Sequence, residues 1–184
     1  MTHAATAQPL QTLTLGGGCF WCLDAVYRRV RGVVAVESGY CNGHVPQPSY
    51  EQVCRGDTGH AEVVRLQFDP AQVSARELLE IFLCIHDPTT PNRQGNDVGP
   101  QYRSGVYFED PQHAELARDI IHTLERDGGL GAPVVTEVLP LHNYSAAEDY
   151  HQDYFTHNPH QGYCAYVVGP KVEKFRKTFA QHLK

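Results

Sequence analysis

No apolar run in this 184-residue chain approaches the roughly 20 residues needed to cross a bilayer. Basic runs are missing too, and a formal net charge of -6 argues against a nucleic-acid surface. The opening MTHAATAQPLQTLTL lacks a basic segment followed by an apolar one, so it does not read as a signal peptide; residues 1–11 are expected to be a frayed lead-in. Internal repeats, low-complexity segments and composition-marked linkers are absent, and residues 1–184 read as a single domain. No exposed apolar stripe or heptad stands out, so a monomer is expected. There is no second C-x-x-C and no H-x-x-x-H pair to complete a zinc site with Cys19 and Cys22.

What is present is an ordinary globular composition, 41% hydrophobic and 20% charged. The six cysteines, at 19, 22, 41, 54, 84 and 164, do not resemble the disulfide framework of a small secreted scaffold, because the chain has ample aliphatic residues for a core. A cytoplasmic protein with mostly reduced thiols follows. Cys41, Cys54 and Cys84 have unremarkable surroundings and read as structural.

Strand and helix patterns alternate along the chain. LTLGGG reads as a strand entering a glycine turn, CLDAVYRRV as a helix, and VVAVESGY and AEVVRLQFD as strands. Ser74 and Glu77 form a capping box for a helix bearing Leu78, Leu79, Phe82 and Ile85. YRSGVYF is a further strand, and Asp110-Pro111 opens a helix with Ala114, Ala117, Ile121 and Leu124 on its inner face. PVVTEVL reads as a strand, Ser145 and Glu148 as a second capping box opening the helix AAEDYHQDYF, and YCAYVV as a final strand. Val172, Phe175 and Phe179 line a closing helix. The expected fold class is α+β, a two-layer α/β sandwich with a central mixed sheet. The irregular stretch HDPTTPNRQGNDVGPQ, residues 86–101, is expected to be an ordered polar loop over a site.

The chemistry concentrates in LGGGCFWCLD, residues 15–24. Cys19 stands where a glycine turn passes into a helix, so unpaired backbone N–H groups and the helix dipole favour a thiolate there. A free thiol is about 3% ionised at pH 7. Lowering its pKa to about 7 needs about 2 kcal/mol, within reach of a helix terminus and one further donor. From these residues alone a thiol enzyme, a Cys19–Cys22 disulfide oxidoreductase and a zinc-stabilised interaction domain all remain open.

The blocks GGGCFWC, GYCNG, YEQVCRGDTGHAEVVRLQFDP, IHDPTTPNRQGNDVGPQYRSGVYF, AEDYHQDYF and NPHQGYC, in order from about residue 14 to 164, resemble the A-type peptide methionine sulfoxide reductases. The resemblance implies a ferredoxin-like core and an enzyme of protein repair under oxidative stress. Cys19 attacks a methionine S-sulfoxide, free or in proteins, methionine is released, and the cysteine sulfenic acid is resolved to a disulfide that thioredoxin reduces. No metal or bound organic cofactor is implied. A proton donor five residues beyond the nucleophile falls on Asp24, where the family pattern was read as glutamate. Tyr40 and Tyr102 match hydroxyls that hold the sulfoxide oxygen, Phe20 and Trp21 match the rings around the substrate methyl, and Glu62 and Asp97 lie in blocks around the site. Cys164 matches a recycling cysteine expected to attack first, with Cys22 as direct partner or relay.

Overall fold

The computed structural model describes residues 7–184; residues 1–6 of the expected lead-in lie outside them. Strand β1 (Gln11–Gly16), helix α1 (Phe20–Tyr27) and strand β2 (Val33–Cys41) form a first βαβ unit. The short helix α2 (Tyr50–Cys54) precedes strand β3 (Ala61–Phe68) and helix α3 (Ala75–Ile85). The polar stretch then makes a small hairpin, β4 (Arg93–Gln94) and β5 (Asp97–Val98), and a 3-10 turn over Pro100–Tyr102 before strand β6 (Gly105–Phe108). Helix α4 (Pro111–Asp127), strands β7 (Glu137–Pro140) and β8 (Ser145–Ala146), and helices α5 (Tyr154–His157) and α6 (Gly169–Thr178) complete the order.

The main sheet runs β7-β6-β1-β3-β2-β8. Its pairs are antiparallel except β6 with β7, so it is mixed. The four central strands, with α1 and α3 as their connections, make the split βαβ arrangement of a ferredoxin-like core. Side-chain alternation along β3 separates the two faces. Val64, Leu66 and Phe68 join the core beneath the helices, whereas Ala61 and Val63 join Tyr107 and Cys41 in a smaller cluster.

The capping box before α3 forms as expected: the Ser74 hydroxyl accepts from the Glu77 N–H, and Glu77 accepts from the Ser74 N–H. Two other elements differ from expectation. YCAYVV is not a strand; Cys164–Val168 is a π-helical turn continuing into α6. Cys164, Val168, Val172 and Phe175 are all buried, a stripe at helical spacing. Burying a large apolar side chain contributes about 1.5–3 kcal/mol, more than the ~1 kcal/mol span of strand preference. The segment AAEDYHQDYF is not one helix either; it gives a 3-10 turn at Asp149–His151 and the single turn α5. Ser145 sits in β8, and Glu148 spends its carboxylate on distant partners, the Tyr40 hydroxyl and the Tyr50 N–H.

Candidate active site

The three glycines place Cys19. Gly18 has φ +89°, and a Cβ there would fall 2.7 Å from Gln94 Cγ. Gln94 in turn closes on the backbone of Asp87, accepting from its N–H and donating to its carbonyl, both at 2.9 Å. The polar loop therefore docks directly on the glycine turn. Cys19 is the N-cap residue of α1, yet its side chain makes no capping bond and keeps 9% exposure.

Expectation and structure part over the state of this thiol. Burial pushes the Cys19 thiol well above its ordinary range, and the Glu62 carboxyl, the Cys22 thiol and Asp97 push the same way; only the Trp21 backbone N–H opposes them. One amide at a helix end does not outweigh desolvation beside carboxyl groups. Glu62 projects from β3 and is 2% exposed, and its Oε2 has no hydrogen-bond partner among the described residues. Burial, then Asp97, raise its carboxyl well above the usual carboxylate range, which favours its protonated form.

Two phenols lie within electrostatic reach of this pair. Tyr50 opens α2, where the Ser49–Gln52 capping box and the Glu148 carboxylate fix the helix start. Tyr102 ends the 3-10 turn, which Arg103 braces by donating to the carbonyls of Pro100 and Gly59 at 2.8 and 3.0 Å. Burial raises both phenols first; the Cys54 thiol adds at Tyr50, and both feel Glu62 and Cys19. They remain protonated donors. The sequence reading missed Tyr50, although it begins the quoted block YEQVCRGDTGHAE.

Asp24 and Tyr40 are not brought to the thiol. A position five residues on lies about 140° around a helix, and Asp24 accordingly turns away from Cys19 to pair with Arg28 at 2.8 Å. Tyr40 is wholly buried, donates to Glu148 at 3.0 Å and packs its ring 5.7 Å from Phe20. Phe20 is likewise fully covered, with the His151 ring 5.0 Å away. Trp21 is half-buried, stacks on Tyr154 at 3.8 Å, and donates its indole N–H to His151 Nδ1 at 3.0 Å. His151 and Tyr154, both in the quoted AEDYHQDYF block, thus set the ring that the sequence reading placed by the substrate.

Asp97, on β5, accepts from the Tyr163 hydroxyl at 2.5 Å, and that hydroxyl lies 3.9 Å from Cys22 Sγ. Cys164 is fully buried in the same core cluster as Cys19 and Cys22. Among the described residues, no three His, Cys, Asp or Glu side chains converge as a metal site.

A buried thiol at a glycine turn, a buried carboxyl raised above the usual range and two phenols define a thiol-based oxidoreductase site on a ferredoxin-like core. The family model "Peptide methionine sulfoxide reductase" matches residues 11–183, and the chain belongs to that family. It is 52% identical over 181 residues to the peptide methionine sulfoxide reductase MsrA of Ralstonia nicotianae, covering 96% of this chain and 95% of that one. Among solved structures it is similar to methionine sulfoxide reductase A of Corynebacterium diphtheriae, with TM-score 0.76, 38% identity, and 86% and 80% of the two chains covered. Reduced Mxr1 of Saccharomyces cerevisiae gives TM-score 0.79, 34% identity and coverage of 89% and 95%. Mxr1 in complex with Trx2 shares the fold at TM-score 0.56 and 23% identity, over 84% and 92%. As a family member the chain is an enzyme that reduces methionine sulfoxide to methionine.

Proposed function

We propose that Cys19 is the nucleophile, Glu62 the proton donor, and Tyr50 and Tyr102 the hydroxyls that hold the oxygen of a methionine S-sulfoxide, free or in a protein. The acid role read from sequence for Asp24 passes to Glu62, and that of Tyr40 to Tyr50. The observation that carries this reading is the buried, unpartnered carboxyl of Glu62 beside the thiol. A sulfoxide oxygen departs only when protonated, and a neutral carboxyl is the group that supplies the proton.

The step balances. Glu62 protonates the sulfoxide oxygen, which leaves positive charge on the substrate sulfur and favours ionisation of the adjacent thiol. Cys19 sulfur attacks, the oxygen passes to it as a sulfenic acid, and the substrate sulfur leaves reduced, as a thioether. The thiol proton restores the carboxyl. Cys19 is thus activated by its substrate and stays a thiol in the empty site.

Trp21, backed by the buried Phe20 ring, supplies the apolar side of the pocket. One methyl contributes only about 0.8 kcal/mol, so the carboxyl and hydroxyl donors select sulfoxide over sulfide. Methyl on one side and oxygen donors on the other make a handed site. Cys22 and Cys164 supply the resolving thiols, and thioredoxin reduces the resulting disulfide; the solved complex of yeast Mxr1 with Trx2 supports that choice. No resident metal or organic cofactor enters these steps. All six cysteines are free, which supports a reducing compartment, and we place the enzyme in the cytoplasm as a monomer. Single-turnover methionine release from S-sulfoxide peptides tests the reading: E62Q and C19S should both lose it. E62Q turning over at the wild-type rate would remove Glu62 from the chemistry.

A further inference from the structure

Cys22 carries a set of polar groups that sulfoxide reduction does not use. It follows Cys19 by three residues on the first turn of α1, with its N–H donating to the Cys19 carbonyl at 3.1 Å. The Tyr163 hydroxyl stands 3.9 Å from its sulfur. That hydroxyl gives its own proton to Asp97 Oδ2 at 2.5 Å, so it is left to accept from the Cys22 S–H. Asp97 also acts on Cys19. The hydrogen-bonded array therefore runs from the Cys22 thiol through the Tyr163 phenol to the Asp97 carboxylate, whose charge is felt at Cys19.

Lys171 completes the cluster from the first turn of α6. Its charge lowers the Cys22 thiol, and also acts on His86, which burial pushes down to about 4 and keeps neutral. Among the described residues Lys171 forms no ion pair with a carboxylate. A half-buried ammonium whose charge is felt at a thiol and a neutral imidazole has one of these groups that can become its anion, the Cys22 sulfur.

We propose that Cys22 is the thiol that attacks the Cys19 sulfenic acid, with Tyr163 and Asp97 carrying its proton to the departing oxygen and Lys171 holding the transient thiolate. The inference rests on the sulfenic acid reading given above. Cys22–SH passes its proton to the Tyr163 oxygen, whose own proton moves to Asp97. The Cys22 sulfur bonds to the Cys19 sulfur as the S–O bond of the sulfenic acid breaks. Asp97 gives its proton to the leaving hydroxide, which departs as water. The two sulfurs end as a disulfide, both protein groups return to their starting state, and Cys164 then serves as the second thiol that passes the oxidation outward.

The test uses the full chain and one equivalent of a methionine S-sulfoxide peptide. Methionine release and disulfide formation are timed separately, and the first disulfide is mapped by peptide mass. The readout is the ratio of the two rates. In Y163F the ratio should fall about 10²-fold, the scale of a lost proton relay. In K171M it should fall about tenfold, the loss of about one pKa unit of thiolate support, with K171R recovering most of it. The wild type should show Cys19–Cys22 first. A first disulfide between Cys19 and Cys164, or unchanged ratios in both variants, overturns the proposal. A wild type that releases no methionine overturns the sulfenic acid reading beneath it, a result distinct from release followed by the wrong disulfide.

Discussion

Asp24 Oδ1 accepts from Arg28 Nε at 2.8 Å, and the same guanidinium donates to the Val36 carbonyl at 2.9 Å. The pair ties α1 to β2. Burial raises the Asp24 carboxyl while Arg28 pulls it down. Asp24→Asn should therefore cost about 1–3 kcal/mol of stability, as for a buried polar group that loses a charged partner. Single-turnover methionine release should stay within about twofold of wild type. Denaturant unfolding and rapid quench together check this, and a rate loss near 10²-fold would restore the acid role to Asp24.

Glu62 has the opposite expected profile. E62Q should slow methionine release by about 10²-fold or more, since the proton donor is gone. Its stability should also change with pH in a defined direction. The folded carboxyl holds its proton above the pH at which the unfolded one, near pH 4.3, releases it. Wild-type stability thus falls as pH rises from there toward the folded pKa, and E62Q removes that slope. Unfolding free energies of both proteins across pH 4–8 measure it.

Cys19 in the empty enzyme should be a sluggish thiol. Burial and the Glu62 carboxyl hold it above its ordinary range, so at pH 7 it should be alkylated more slowly than free cysteine, itself about 3% thiolate. Peptide mass after timed iodoacetamide treatment gives the rate. Alkylation faster than free cysteine would mean a resting thiolate.

The R-sulfoxide should be a poor substrate. In the handed pocket, placing its methyl by Phe20 and Trp21 turns the oxygen away from Glu62, Tyr50 and Tyr102. Separate kcat/KM values for the two epimers decide, and equal values would dismiss the arrangement.

Gly18→Ala should disturb both fold and rate. A Cβ at φ +89° costs about 1–3 kcal/mol in backbone strain and also meets the Gln94 side chain. With Gln94 displaced, the loop carrying Asp97 loses its seat on the glycine turn. Thermal unfolding and methionine release should fall together.

Local signals fixed in the chain were legible: the glycine turn before Cys19, the Ser74–Glu77 box, the Asp110-Pro111 start of α4 and the alternation along β3 all act over a few residues. The cysteine at that turn was legible for the same reason. The acid proposed above was not, because Asp24 is near Cys19 in sequence while Glu62 is near it through sheet pairing. Tyr40 opposite Glu62 in the β2–β3 register and Leu15 opposite Val64 in β1–β3 bring residue 62 beside the turn. The apparent capping box at Ser145 and Glu148 failed because that carboxylate found Tyr40 and Tyr50, about 100 residues away in the chain. YCAYVV became helical because its stripe continues into Val172 and Phe175 against the core, where burial outweighs strand preference. The sequence by itself determined the cysteine at the glycine turn, the family and the split βαβ order. Only the tertiary structure decided which carboxyl and which phenols meet the thiol, and that its charge is withheld, since desolvation and long-range pairing exist only once the chain is folded.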